Sequence, residues 1–194
     1  MIKIKFPDGS VREYEAGISA ADVAKSISEG LARNVVGAVY NGKTIGLQEE
    51  IKEDGNIKFL KFEDEEGKHI FWHTSSHIMA QAIKRLWPDA KLAIGPAIDN
   101  GFYYDIDLEH RLVQEDFEKI EAEMKKIVKE GLKLERFELP RAEALKFMEE
   151  KQEPYKVELI NDLPEDAVIS FYKQGDFVDL CAGPHLESTK KPKA

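Results

Sequence analysis

The sequence predicts an α+β protein in two parts, and three observations carry that prediction. Residues 1–62 alternate short period-two apolar runs with one amphipathic helical pattern. Residues beyond 68 mix long helical patterns with strand patterns joined by tight turns. Between them, residues 62–68, FEDEEGK, have the acidic, polar composition of a linker. The expected division is therefore residues 1–62 and residues 63–194.

In the first part, Ile2, Ile4 and Phe6 alternate with Lys3 and Lys5, which is a half-buried strand. Pro7-Asp8-Gly9-Ser10 is turn chemistry, and Val11–Glu15 returns as the second strand of a hairpin. Ser19 is placed to cap a helix whose apolar face holds Ala20, Val23, Ala24 and Ile27, with Gly30 as its stop. Strands follow near Val35–Tyr40, Lys43–Ile45 and Asn56–Phe62, and Asn41-Gly42 makes a hairpin turn. Two strands, a helix and more strands in this order predict a ubiquitin-like β-grasp. No His or Cys occurs before residue 69, so a binding or docking module is expected.

In the second part, Ile70–Trp87 reads as a helix stopped by Pro88. Lys91–Ile98 and Gly101–Ile106 read as strands joined at Asp99-Asn100. An amphipathic helix spans residues 112–130, with Phe117, Ile120, Met124, Ile127 and Val128 inward and Gly131 at its end. A strand over Leu132–Leu139 precedes a helix from Pro140 to Glu150. Tyr155–Ile160, Val168–Lys173 and Phe177–Leu180 read as strands of a mostly antiparallel sheet. The basic tail STKKPKA is expected to be polar and mobile.

Composition excludes several classes. Of 194 residues, 42% are hydrophobic, but no run approaches the ~20 apolar residues that a spanning helix needs. Ten Phe, six Tyr and two Trp argue against disorder. Cys181 is the single cysteine, so a disulfide scaffold is ruled out. The opening MIKIKFPDGS has no secretory character, and a cytosolic location is expected. With 28 Lys plus Arg against 37 Asp plus Glu, the net charge is −9, which by itself argues against a dedicated nucleic-acid binder.

The chemistry-bearing residues cluster. In His73-Thr-Ser-Ser-His77 the imidazoles are four residues apart, so on a helix both project from one face. Cys181-Ala-Gly-Pro-His185 has the same spacing, but Gly183 and Pro184 place it on a turn after a strand. The chain has five His and one Cys, and four of those six fall into these two pairs. Three nitrogens and one sulfur are a permitted zinc set. Four protein ligands would close such a site, whereas a catalytic zinc keeps one position open for water. Without metal, the same cluster would use imidazole as a base or water-holder. His69 and His110 lie outside the pattern and read as surface residues.

Asp179 lies two positions before Cys181, on the same side of an extended strand. Between Val178 and Leu180, it is a candidate to orient a histidine or hold an amine; a surface strand carboxylate is the alternative. Tyr103, Tyr104 and Lys156 are polar groups among apolar neighbours, and a lysine can stabilise a developing oxyanion. No phosphate loop, dinucleotide fingerprint, ATP site or nucleophile elbow is present.

HTSSHIMAQAIKRLWPDAKLAIGPAIDNGFYYDID, followed downstream by DLCAGPHL, resembles the amino-terminal editing region of bacterial threonyl-tRNA synthetases. The His-x-x-x-His and Cys-x-x-x-His pairs also resemble the editing domain of alanyl-tRNA synthetases. Residues 1–62 resemble, more loosely, the small TGS domain that opens the threonyl enzymes. The resemblance covers essentially the whole chain. It implies a TGS domain, then an editing domain, also called the second additional domain, over residues 63–194. It implies aminoacyl-tRNA deacylase activity that hydrolyses the ester of seryl-tRNA(Thr), with threonine's extra methyl excluded.

By match to the family motif, His73, His77, Cys181 and His185 line the hydrolytic site, with Lys156, Asp179 and Tyr104 in the pocket. Water positioning falls to the histidines. Asp179 is assigned the serine amino group or hydroxyl, and Lys156 the ribose or the oxyanion. Zinc on the His and Cys residues is a further expectation from the alanyl relatives.

The catalytic and anticodon-binding domains of the family have no counterpart here. The resemblance therefore implies the front part of a homodimeric parent ligase, with no ATP site of its own. Its partners would be the remaining synthetase domains and the acceptor end of tRNA(Thr) carrying serine. A zinc-stabilised tRNA-binding module without catalysis, and a freestanding trans-editing protein, are the alternatives. The acidic average then predicts weak, salt-sensitive tRNA binding through a local basic patch of Lys156, Lys173, Lys190, Lys191 and Lys193.

Overall fold

The computed structural model describes residues 1–191; Lys193 of the expected basic patch lies outside them. The chain forms two compact units. One comprises Met1–Phe71 with Pro184–Glu187, and the other Trp72–Gly183 with the described residues from Ser188 to Lys191.

The first unit is the expected β-grasp. Its elements are β1 (Ile2–Lys5), β2 (Val11–Tyr14), β3 (Ile18–Ser19), α1 (Ala20–Ile27), α2 (Glu29–Asn34), β4 (Val35–Tyr40), β5 (Lys43–Ile45), β6 (Glu50–Ile51) and β7 (Gly55–Lys61). Five strands form one sheet in the order β2-β1-β7-β4-β5, and β3 pairs with β6. The β1–β7 pair is parallel and the others in this sheet are antiparallel. Ile2, Ile4, Val23, Ala24, Ala38 and Ile57 pack between sheet and helix.

Ser19 caps α1 as expected, accepting from the Asp22 N–H at 3.1 Å. The helix stops before Gly30, however. Ser28 is extended (φ −165°) and its Oγ accepts the Leu31 N–H, so one serine ends α1 and starts α2. The sheet's other face meets a second small cluster of Val36, Leu60, Ile70 and Leu186. A side chain at Gly37 would collide with Ile70 there.

The expected linker is not a loop. Helix α3 runs Glu65–Leu86 and so takes in Glu65, Glu66, Gly67 and Lys68. The two glutamates fall in its first turn, where the helix dipole favours negative charge.

In the second unit, β8 (Lys91–Leu92), β9 (Ala97–Ile98), β10 (Gly101–Phe102) and β11 (Ile106–Asp107) follow α3. These replace the two long strands expected here. They form two separate two-residue ladders, β9–β10 and β8–β11. Helix α4 spans Gln114–Glu130 and ends at Gly131, whose φ of 59° and ψ of 45° give the left-handed cap that glycine supplies. Ile120 and Ile127 are buried, but Phe117 is 54% exposed rather than inward.

The remaining elements are β12 (Leu134–Glu138), α5 (Arg141–Glu150), α6 (Pro154–Asp162), β13 (Ser170–Gln174) and β14 (Phe177–Leu180). The sheet β12-β13-β14 is antiparallel. Phe171 lies at its centre, against Ala144, Met148 and Ile160. The expected strand over Tyr155–Ile160 is instead helix α6. Tyr155, Val157 and Leu159 mimic a period of two, yet Lys156 and Ile160, one helical turn apart, are the buried pair. Pro154 sits at the first position of this helix, where its missing N–H has no cost.

Asp116, near the start of α4, is buried although charged. Its Oδ2 accepts the Val113 N–H at 2.9 Å and lies 2.8 Å from His110 Nε2, whose ring stacks on Trp87. The Val113 N–H, then His110, hold its carboxyl below the ordinary carboxylate range. A depressed folded value stabilises the protein above the unfolded value, about 3.9, and the benefit is lost as pH falls through the folded value. Asp116→Asn should lower the melting temperature at pH 7 and flatten its further fall between pH 5 and pH 3. Thermal unfolding followed by circular dichroism against pH checks this.

Candidate functional site

Three elements and two adjoining segments carry the candidate residues. Helix α3 presents His73 and His77, whose ring centroids are 5.3 Å apart. Helix α6 presents Lys156, and β14 presents Asp179. Tyr104 lies between β10 and β11. Cys181 follows β14 directly and is fastened to β13. Its N–H donates to the Ser170 carbonyl at 3.0 Å, and the Ser170 hydroxyl donates to the Cys181 carbonyl at 2.6 Å.

The centre of the arrangement is an ion pair. Lys156 Nζ is 2.9 Å from Asp179 Oδ1, and both side chains are almost wholly buried. The ammonium also donates to the Ala93 carbonyl at 2.6 Å and to the Tyr104 hydroxyl oxygen at 3.0 Å. Its three hydrogens therefore have three acceptors. The Tyr104 hydroxyl in turn donates to Asp179 Oδ2. The same carboxylate oxygen lies 3.5 Å from His77 Nδ1. The chain Lys156–Asp179–Tyr104 is thus closed on itself and borders His77. Lys156 is consequently no part of a surface basic patch, as the sequence reading had it; it is 4% exposed.

Protonation states follow from burial and neighbours. Burial depresses the His77 value, outweighing the attraction of Asp179, so the imidazole is neutral near pH 7. Burial alone would raise the Asp179 carboxyl, but Lys156, then His77 and Tyr104, hold it below its ordinary value. Tyr104 is raised well above the ordinary phenol value, first by burial and then by Asp179, and stays a donor. The Cys181 thiol is pushed up to about 12, mainly by burial. In this environment it is a thiol, not a thiolate nucleophile.

His73 Nε2 lies 3.4 Å from Cys181 Sγ, and the Gly183 N–H points at the same sulfur at 3.3 Å. Gly183 has a φ of +74°, and a side chain there would strike the Tyr172 hydroxyl. Ligand atoms of His73, His77 and Cys181 lie within 4.8 Å of one another, so this cluster could hold a metal ion. The donor chemistry fits zinc, with Asp179 beside His77 as the outer carboxylate that such histidines commonly have. His185 belongs to Pro184–Glu187, which clusters with the first unit. It is wholly buried, with its carbonyl beside Gly46.

Two polar residues were missed from the sequence. Ser76 Oγ lies 2.7 Å from the His73 carbonyl and 3.0 Å from the Gly95 carbonyl, which ties α3 to the loop before β9. Gln174 Nε2 lies 3.4 Å from the His77 carbonyl and 2.7 Å from Gln81 Oε1. Ser76 sits inside the HTSSH run and was available from helical spacing; Gln174 offered no local signal. His110 is 44% exposed at its side chain, in line with its reading as a surface residue. No helix among the described residues is long and apolar enough to cross a membrane.

Residues 2–61 match the TGS domain, and residues 169–193 match the threonyl and alanyl tRNA synthetase second additional domain. The chain is 70% identical over all 194 residues to a threonine–tRNA ligase of Clostridioides difficile (strain 630), covering 30% of that protein. It is 64% identical over 191 residues to a threonine–tRNA ligase of Caldanaerobacter subterraneus subsp. tengcongensis, covering 98% of this chain and 30% of that one. Against the threonine–tRNA ligase of Acetivibrio thermocellus it is 64% identical over its whole length, covering 31% of the relative. The chain therefore spans about a third of the length of the relatives it matches.

Removing one partner of the buried ion pair leaves the other charged and desolvated. Lys156→Met should destabilise the protein by about 3–5 kcal/mol. Adding Asp179→Asn should recover part of that loss, because no lone charge then remains buried. Urea unfolding of both variants checks the order; a double variant less stable than Lys156→Met would refute it.

Proposed function

From a chain that carries a TGS domain and the second-additional-domain signature, and that is alike throughout to the N-terminal 30% of bacterial threonine–tRNA ligases, we propose an editing role: hydrolysis of the ester in seryl-tRNA(Thr). The carrying observation is His77, a buried neutral imidazole beside His73 and backed by the Lys156–Asp179–Tyr104 chain.

A neutral imidazole can accept a proton from water. In the proposed step, the water oxygen attacks the ester carbonyl carbon while an imidazole of His73 or His77 takes its proton. The carbon–oxygen bond to the ribose then breaks, and the proton passes to the leaving ribose oxygen. Serine and uncharged tRNA are the products. The positive charge of Lys156 favours the developing oxyanion. Asp179 offers negative charge to the serine ammonium or an acceptor to its hydroxyl, and Tyr104 lines the pocket. Threonine differs by one methyl group, worth about 1–3 kcal/mol in a pocket that merely fits it. A second, smaller pocket that excludes the methyl supplies the remaining discrimination.

The proposed metal set is His73, His77, Cys181 and His185, with zinc as the ion. A bound zinc ion would supply Lewis acidity, and Cys181 would have to give up its proton to hold it. The same donor cluster favours a second reading, a zinc-stabilised tRNA-binding module. The parent is proposed to be a cytoplasmic homodimeric ligase, with tRNA(Thr) and the remaining synthetase domains as partners.

Offered both aminoacyl-tRNAs, the protein should deacylate seryl-tRNA(Thr) far faster than threonyl-tRNA(Thr). His73→Ala should reduce that rate by about 100-fold or more with an unchanged circular dichroism spectrum. Equal, background-level loss of both substrates would sink the hydrolase. Metal analysis of the purified protein separates the two readings. Stoichiometric zinc whose chelation unfolds the protein supports the binding module, whereas deacylation that survives chelation supports hydrolysis by imidazole alone.

A further inference from the structure

Glu153 is a buried carboxylate, 5% exposed, that the proposed reaction does not use. It precedes Pro154, at the cap position of α6, three residues before Lys156. Its backbone carbonyl accepts the N–H groups of Lys156 and Val157 at 3.2 Å. Its side chain reaches two other elements. Oε1 pairs with Lys84 Nζ of α3 at 2.7 Å, and Oε2 accepts the Leu92 N–H of β8 at 2.9 Å. Lys84 in turn donates to the Ala90 carbonyl at 2.7 Å.

The residue after Leu92 is Ala93, whose carbonyl accepts the Lys156 ammonium. One side chain therefore joins the start of the helix that carries Lys156 to the strand whose carbonyl receives it, and ties both to the helix that carries His73 and His77. We propose that Glu153, with Lys84, is a positioning residue that fixes the Lys156 ammonium against Asp179. It rests on the hydrolytic reading for its effect on rate, though not for its effect on geometry. Without the carboxylate, β8 keeps its ladder to β11 and the Ala93 N–H its bond to Asp105, but β8 loses its tie to α6, so the Ala93 carbonyl is held less firmly against Lys156. Lys156 then gains freedom to swing off Asp179, and the field at the reacting ester weakens. Small displacements of a positioned group are costly, about 100-fold for 1 Å.

The clamp borders an open cleft of about 430 Å³ lined by Gln81, Lys84, Leu92, Glu153, Phe177 and Val178. Water can therefore reach Lys84 once Glu153 is shortened, which favours a folded Glu153→Ala variant.

The test combines kinetics with a chemical probe of Lys156. In Glu153→Ala, kcat for seryl-tRNA(Thr) should fall about tenfold or more while KM stays within about twofold. The pair Glu153→Gln with Lys84→Gln, which keeps an acceptor for Leu92 and a donor for Ala90, should restore most of kcat. Acetic anhydride labelling read by mass spectrometry should leave Lys156 protected in the wild type and unmask it in Glu153→Ala, well below its melting temperature. Lys156 still protected in the folded variant, or an unchanged kcat, overturns the proposal. Should the wild type fail to deacylate, the hydrolytic reading fails, and the labelling alone decides the positioning role. Glu153→Leu, which also removes the acceptor for the Leu92 N–H, replaces Glu153→Ala in the same comparison if the latter does not fold.

Discussion

The site is organised around one buried contact, Lys156 Nζ to Asp179 Oδ1 at 2.9 Å. Taking both charges out of water costs several kcal/mol each, and attraction between them returns that only if the remaining hydrogen-bonding capacity is filled. Here it is. Ala93 and Tyr104 take the other ammonium hydrogens, and Tyr104 fills the second carboxylate oxygen. Every one of those partners comes from a different stretch of chain: α6, β14, the residue after β8 and the segment after β10. The pair is thus a poor source of stability but a specification of geometry, since its desolvation is offset only where all four stretches come together.

That specification sets the electrostatics of the neighbouring imidazole. Carboxylate and ammonium act on His77 in opposite senses, Asp179 more strongly than Lys156, and desolvation is larger than either and decides its state. Without Lys156, Asp179 would favour the protonated ring more strongly and weaken its capacity as a base. An isolated Lys156 would have raised the cost of any cation forming beside it. Burial likewise keeps Cys181 protonated, which leaves imidazole as the basic group of the cluster.

Sequence reasoning reached the site through local spacing and lost it where contacts are distant. His73 and His77 were legible because four residues on a helix make neighbours. Cys181 was legible because Gly183 and Pro184 force a turn after a strand. The β-grasp order was legible because β1 alternates and the turns at Gly9 and Gly42 have their glycines, although β4 is buried almost throughout. Lys156 was found as a residue, but its element was not. The alternation of Tyr155, Val157 and Leu159 carries a strand signal that packing of Lys156 and Ile160 overrides. Phe117 shows the opposite error, since its helical spacing is right but the neighbouring surface does not cover it. Glu153 and Gln174 could not be found, because their partners lie 61 and 97 residues away.

The two ladders that flank Tyr104 are each only two residues long. Each contributes few backbone hydrogen bonds, so this stretch belongs to the low end of local stability, far below the five-residue β12–β13 pairing. Tyr104 lies between these ladders, whereas the imidazoles stand on the 22-residue helix α3 and the carboxylate on β14 of the three-stranded sheet. The candidate site therefore rests on long elements on one side and on two short ladders on the other, so the side that carries Tyr104 is the one that local opening moves first.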